Sequence, residues 1–208
     1  MRIAIIGTGN VGAAIARGLR GKGHQVVLGA RDPAGVAALA SETGARATLP
    51  AQAAKEADIV VLALPWGAAE EAIMALGDLT GKTVVDCMNP IGRTPNGMGL
   101  TVGHTTSGGE IVQSWLPDAH VVKTLNQVGA EIMAEASGLP HAPVMFMAGN
   151  EPGAKAAVGE MLTDLGFEAL DAGDITKSRL LEPFGMVWIN QALFRGKGRN
   201  WAFAAVEG

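Results

Sequence analysis

Near the start of the chain, Gly7-Thr8-Gly9-Asn10-Val11-Gly12 has the residue types and spacing needed to hold a pyrophosphate. In such a turn the first glycine permits a tight reversal, the second lets the backbone approach the phosphates, and the third lets a helix pack closely on a strand. Glycine turns serve many loops, so the motif takes its meaning from its surroundings. It follows an apolar run, Ile3 to Ile6, of strand length, precedes Ala and Leu at helical spacing, and is followed by a second strand, Gln25 to Leu28. Strand, glycine turn, helix and strand within about 30 residues form a dinucleotide-binding unit. The helix N-terminus adds free N–H groups and the positive end of its dipole.

The end of the second strand bears on which dinucleotide. An NAD-binding unit places Asp or Glu about 20 residues past the glycines, on the ribose 2′-hydroxyl. This chain has Gly29, Ala30 and Arg31 there. A planar guanidinium suits a 2′-phosphate, so the expected cofactor is NADP(H). Asp32 precedes Pro33 and an Ala-rich segment, and reads as the N-cap of the next helix with proline at N1.

Three further strand ends carry candidate ligands. Asp58 to Pro65 is continuously apolar, as a strand buried on both faces must be. In a doubly wound sheet of order 3-2-1-4-5 its end lies beside that of the first strand, at the switch point where ligands bind. Leu64, Pro65 and Trp66 are thereby placed near the cofactor. Lys82 to Cys87 forms the fifth strand, and Asn89 and Pro90 after it reach the mouth of the cleft. Gly92 to Gly109, rich in Gly, Thr, Pro and Asn, is expected to be an active-site loop. His120 to Leu125 forms a sixth strand, after which Asn126 can hold a carboxamide or a substrate carbonyl, or cap a helix.

The elements that must position these residues follow an alternating pattern. A helix runs from Pro33 to a left-handed cap at Gly44, Arg46 to Leu49 makes an edge strand, and further helices start at Pro50, Gly67 and Glu110. Glu70 and Glu71 fall on the wet face of the second of these. Beyond residue 130 come a strand Pro143 to Ala148, a helix Pro152 to Leu165, and a strand Phe167 to Leu170. A last helix has an apolar face of Leu181, Phe184, Trp188 and Ala192, suited to a core or a dimer interface. The fold class is α/β: a Rossmann-type, doubly wound, mostly parallel sheet with helices on both faces and a small C-terminal helical extension. Residues 1–174 form the NADP-binding domain with extra C-terminal strands. Residues 175–208 form a helical segment for dimerisation and cleft closure.

Composition narrows the partners. The 208 residues carry a net charge of -4 and no basic stripe, so nucleic acid is not an expected partner. No apolar stretch approaches a membrane span, no leader precedes the first strand, and a single cysteine, Cys87, fits a reducing compartment; the expectation is a cytoplasmic protein without membrane insertion. Tyrosine is absent, which removes the tyrosine–lysine pair of short-chain dehydrogenases. His24, His104, His120 and His141 lie far apart, so no metal site is expected.

These pieces resemble the NADPH-dependent reductases of the deazaflavin coenzyme F420, the 8-hydroxy-5-deazaflavin:NADPH oxidoreductases. The resemblance covers nearly the whole chain. It is carried by Gly7 to Gly12, Gly29-Ala30-Arg31, Leu64-Pro65-Trp66, Val122-Lys123-Thr124-Leu125-Asn126 with Val128-Gly129-Ala130-Glu131, and Leu170-Asp171-Ala172-Gly173 followed by Ser178-Arg179-Leu180-Leu181-Glu182. It implies a homodimer in which a deazaflavin, or a flavin-like acceptor, stacks on the nicotinamide for direct hydride transfer. Thr8, Asn10 and Val11 would contact the phosphates, Arg31 the 2′-phosphate, and Pro65 with Asn89 the nicotinamide. Where archaeal members surround the 2′-phosphate with a serine and several basic side chains, this chain has Ala30 and Asp32 beside a single Arg31.

Other classes compete. Reductases of small carbonyls or imines share the N-terminal fold, but add a large helical domain, whereas 34 residues follow residue 174 here. A non-enzymatic NADPH sensor and an electron-transfer subunit are further alternatives. No side chain is assigned as a catalytic acid or base: His104 stands in the glycine-rich loop, and Lys177 lacks the asparagine that normally follows such a lysine one turn later, that position being Leu181.

Overall fold

The computed structural model describes residues 1–95, 97–206 and 208. Among these residues an eight-stranded sheet has the order β10-β9-β8-β5-β4-β1-β2-β3. Its first half is the expected one: β1 (Arg2–Ile6), β2 (Gln25–Gly29), β3 (Arg46–Thr48), β4 (Ile59–Leu62) and β5 (Thr83–Asp86), all parallel, with β3 at the edge. β8 (His120–Lys123) continues the parallel run beside β5.

Side-chain parity divides the core. Ile3, Ile5, Ile59 and Val61 face one layer, made by α1 (Asn10–Gly18), α2 (Ala37–Thr43), α6 (Ala130–Ala134) and α7 (Pro152–Asp164). Ala4, Ile6, Val60 and Leu62 face the other, made by α3 (Pro50–Glu56), α4 (Ala69–Met74) and α5 (Gly108–Trp115). Both faces of the central strands are covered, which is why their sequences are apolar without alternation.

Three findings concern the second half of the chain. The stretch Gly92 to Gly109 is not a plain loop. A two-stranded antiparallel hairpin, β6 (Ile91–Thr94) with β7 (Gly97–Leu100), occupies much of it, α5 already begins at Gly108, and Asn96 lies outside the described residues. Its base is closed by the Pro90 carbonyl, which accepts from the Thr101 amide at 2.8 Å and hydroxyl at 3.0 Å. The alternation of strand and helix continues as expected, but one pairing reverses direction: β9 (Val144–Gly149) runs antiparallel to β8, and β10 (Glu168–Gly173) is parallel to β9. Only Val122 and Lys123 of β8 pair with β9, and they meet its last residues, Gly149 and Ala148. The rest of β9 therefore projects past the end of β8, beyond the edge from which the glycine turn emerges.

The third finding concerns α8 (Ser178–Ile189) and the π-helical turn Asn190–Phe194 that extends it. The face bearing Phe184 and Trp188 packs against the chain's own tail. Trp188 stacks on Trp201 at 5.9 Å, Phe184 lies 4.5 Å from Phe203, and the Trp188 indole donates to the Trp201 carbonyl at 2.9 Å. Helical spacing identified the apolar face but not what covers it.

In the nucleotide-binding unit, the three glycines answer to different forces. Gly7 has φ +96° and a Cβ there would stand 2.3 Å from the Ala63 carbonyl oxygen. A Cβ at Gly12 would stand 1.9 Å from the Gly7 oxygen, whereas one at Gly9 would meet nothing within 4 Å. Gly12→Ala should accordingly cost about 1–3 kcal/mol or more of stability through overpacking against backbone. Gly9→Ala, at an ordinary φ of -73°, should leave stability within about 1 kcal/mol of the parent. Urea denaturation of the two variants side by side checks this, and equal losses would contradict it.

Candidate active site

The strand ends that face the cleft are flush. Beyond the strands proper, Gly7 N donates to Gly29 O, Ala63 N to Ile6 O, Cys87 N to Leu62 O and Thr124 N to Asp86 O, at 3.4, 2.9, 3.2 and 3.1 Å. The ends of β2, β1, β4, β5 and β8 thus form one row. At roughly 4.8 Å per strand, β2 to β5 spans about 14 Å, a span suited to a dinucleotide laid across the edge.

On the β1–β2 side the polar groups are free. α1 has no acidic residue in its first turn and no side-chain cap, Gly9 and Asn10 are exposed, and Thr8 and Val11 are half-buried. Arg31 is exposed and, among the described residues, makes no ion pair. The Asp32 carboxylate accepts from the Ala34 amide at 3.1 Å. The 3-10 turn Ala34–Val36 comes next, ahead of α2, with Pro33 at the turn's N-cap position rather than at N1 and no side-chain cap. An open glycine turn, an uncapped helix start and an unpaired guanidinium fit a phosphorylated dinucleotide.

On the β4–β5–β8 side the expected residues divide. Pro65 is exposed at the end of β4, and Leu64 packs its Cδ2 at the Gly7 turn. The Trp66 ring turns to the outer layer and stacks on Trp115 of α5 at 5.7 Å, so it serves packing between helices. Pro90 is buried under the hairpin and does not reach the cleft mouth. Asn89 is half-buried, and its Nδ2 donates to the Asn126 carbonyl at 2.8 Å. Asn126 is 5% exposed and caps no helix, since α6 is preceded by Gly129. His104 is exposed with φ +61°.

Beneath this row lies a constellation the sequence concealed. Lys123 at the end of β8 is fully buried, with its Nζ 3.0 Å from Asp86 Oδ2 of β5 and 2.9 Å from Glu182 Oε1 of α8, and it also donates to the Met88 carbonyl. Glu182 accepts from the amides of Gly108 and Gly109 at 3.0 and 2.9 Å, so its charge sits at the N-terminus of α5. Asp86 accepts from the Met88 amide at 2.9 Å. Burial pushes the Lys123 ammonium down, but the two carboxylates outweigh it and hold its pKa above the ordinary lysine value. Glu182 belongs to the Ser178–Glu182 block singled out in the sequence; its partners, scattered at 86 and 123, show no local spacing. Burial likewise pushes the Cys87 thiol up, so it is inert.

The comparisons with known proteins bear on the family. The sequence profile described as NADP oxidoreductase, coenzyme F420-dependent, matches residues 2–90. A solved structure of a candidate F420-dependent NADP-reductase from Arthrobacter sp. FB24 is 34% identical over 100% of both chains, with a TM-score of 0.88. The chain belongs to the coenzyme F420-dependent NADP oxidoreductase family. A hypothetical protein from Sinorhizobium meliloti is 29% identical over 86% of this chain and 88% of its own, with a TM-score of 0.76. A reductive aminase from Aspergillus terreus, in complex with NADPH4, cyclohexanone and allyl amine, shares the fold at 22% identity and a TM-score of 0.68, over 94% of this chain and 62% of its own. No curated protein matches. As a member of the F420-dependent family the protein is an NADP-dependent oxidoreductase. Among the described residues no helix is long and apolar enough to cross a membrane.

Lys123→Met would leave two carboxylates facing each other in the interior, and should cost about 3–5 kcal/mol in urea denaturation. Adding Glu182→Gln should recover part of that loss, because it removes one of the orphaned charges. With the lysine pKa raised in the folded state, its contribution is fully present below about pH 10.4 and is lost as pH rises through the folded value. A Lys123→Met loss below 1 kcal/mol would contradict the ion network.

Proposed function

We propose that the protein transfers a hydride between NADPH and a deazaflavin of the coenzyme F420 type, or a flavin-like acceptor. In the reductive direction one hydride from NADPH and one proton from solvent reduce the acceptor by two electrons and leave NADP+. The observation that carries this reading is the state of the ionisable groups at the strand ends. Asp86, Lys123 and Glu182 are buried and bound to one another, while Pro65 and Asn89 offer no acid to the cleft. Hydride addition to a carbonyl leaves charge on oxygen that must be neutralised by a placed donor. A deazaflavin spreads that charge over conjugated rings and chiefly requires face-to-face orientation and exclusion of water. The name of the Arthrobacter relative supports the same acceptor.

In this reading the pyrophosphate lies on Gly7, Thr8, Gly9, Asn10, Val11 and Gly12, Arg31 holds the 2′-phosphate, and the nicotinamide lies over Pro65 and Asn89. An acceptor panel with NADPH tests it: the deazaflavin, FMN, FAD, a ferric chelate, and small 3-oxo acids and imines. Rapid turnover with the deazaflavin or a flavin, and little with carbonyls or imines, is the expected result. His104→Ala should change the maximal rate by far less than the factor of about 100–10,000 that loss of a general acid brings.

Arg31→Ala should weaken NADPH binding by roughly 10- to 150-fold, the value of one charge-assisted hydrogen bond, and leave NADH binding almost unchanged. Equal losses for both in calorimetry would exclude the 2′-phosphate role.

The proposal includes a homodimer, through a face other than the one bearing Trp188. Leu180 and Val187, seven residues apart on one side of α8, are 64% and 50% exposed, and Leu193 and Phe194 in the π-helical turn are 47% and 54% exposed. Leu180→Glu with Val187→Glu should give folded monomers in light scattering. A wild-type monomer, or a dimer indifferent to both changes, would overturn this assignment.

A further inference from the structure

Hydrogen-bond capacity distinguishes the two asparagines at the ends of β5 and β8. An asparagine side chain has two N–H donors and a carbonyl oxygen with two lone pairs. Both Asn126 donors are used, on Asn89 Oδ1 and the Leu181 carbonyl, each at 3.0 Å, and its Oδ1 accepts from Gln127 Nε2 at 2.9 Å. Gln127 is fixed in turn by Phe146, whose carbonyl accepts at 2.9 Å and whose amide donates at 3.2 Å. Asn126 thus has no donor left for a ligand. Asn89 spends one N–H on the Asn126 carbonyl and one lone pair on its side chain, and keeps one of each in a half-buried position.

Two independent features show that this arrangement is held against a cost. Leu125, fully buried, has φ +56°, a conformation that costs a bulky residue about 1–3 kcal/mol and persists only where its surroundings enforce it. That reversal turns Asn126 back toward β5. Above the pair, Gly185 lets α8 come close: a Cβ there would stand 2.7 Å from the Asn126 carbonyl oxygen and 3.5 Å from Asn89 Nδ2. From below, Lys123 binds the Met88 carbonyl, one residue before Asn89.

We propose that Asn126 is a positioning residue that never touches the dinucleotide but orients Asn89, whose remaining N–H and lone pair meet the complementary pair on the nicotinamide carboxamide. This rests on the NADP(H) reading of the cleft. It replaces the direct ligand role expected of Asn126 from its place at a strand end.

The test compares NADPH with 2′,5′-ADP, which carries the 2′-phosphate and adenosine but lacks the nicotinamide, in calorimetric titrations of Asn89→Ala, Asn126→Asp, Asn126→Ser and the double variant Asn89→Ala with Asn126→Asp. Asn126→Asp is isosteric but sets an acceptor against Asn89 Oδ1. Asn126→Ser serves should the aspartate variant fail to fold, and 2′,5′-ADP binding itself reports an intact site. Each single variant should bind NADPH about 3- to 10-fold more weakly, the value of a neutral hydrogen bond, with 2′,5′-ADP unchanged. The double variant should be no weaker than Asn89→Ala alone, because Asn126 acts through Asn89. Equal weakening of both ligands, unchanged NADPH affinity in the Asn126 variants, or additive losses in the double variant would each overturn the positioning role while leaving the NADP(H) reading intact. Failure of the wild-type protein to bind 2′,5′-ADP would instead overturn that reading, and the proposal with it.

Discussion

A lysine ammonium with no exposed surface dictates its surroundings, because an unpaired charge in the interior costs several kcal/mol and must be met from every side. Lys123 is met by Asp86 from the neighbouring strand, Glu182 from the last helix and the carbonyl of Met88. The two carboxyl groups are held in turn by backbone amides: Gly108 and Gly109 at the start of α5 hold Glu182, and Met88 holds Asp86. One buried cation therefore joins β5, β8, α5 and α8, which are far apart in the chain. An apolar cluster of equal volume would pack as well, but it would tolerate sliding; charge-assisted hydrogen bonds fix direction. A second clamp, the Arg179 guanidinium on Glu110 at 2.8 Å, holds that carboxyl below its usual range and ties α8 to α5 from outside.

What was legible in the sequence is what local periodicity encodes. The order of the first five strands, the glycine turn and the left-handed cap at Gly44, with φ +72°, all follow from residues within one turn or one strand of each other. Arg31 was visible for the same reason, since it stands at a fixed distance from the glycines. The Lys123 network was not visible, because Val121-Val122-Lys123-Thr124 reads as a strand ending in polar residues and nothing local says that the lysine turns inward. The hairpin over residues 91–100 was hidden by glycines at 92, 97 and 99, which erase the alternation that marks a strand. Phe184 and Trp188 announced a buried face correctly, yet their cover came from Trp201 and Phe203, in a tail without regular structure whose aromatic residues have no period to read.

The two sides of the cleft are built on opposite terms. Around β1 and β2 the polar groups are held open, with an uncapped helix start and an arginine that has no ion-pair partner among the described residues, so their hydrogen bonds are open to a ligand. Around β5 and β8 nearly every polar group is consumed internally, down to both donors of Asn126. In the proposed reading, a charged, extended ligand is gripped at its phosphates by strong interactions that need little shape. Its reactive end meets rigid walls that need few interactions but an accurate geometry. Affinity and orientation are in this way supplied by different strands of one sheet.

That division accounts for the placement of strain. Leu125 stands in a left-handed conformation at the end of the strand that carries Lys123, and the two residues after it are fixed, Asn126 packing under Gly185 and Gln127 bound to the Phe146 backbone. For transfer of a hydride between two stacked rings, as proposed, rate depends steeply on the distance and alignment of the reacting atoms. In the proposed reading, a floor with its charges locked away and its amides fixed in place is suited to that chemistry, and the conformational cost at Leu125 would lie beside the reactive end of the dinucleotide.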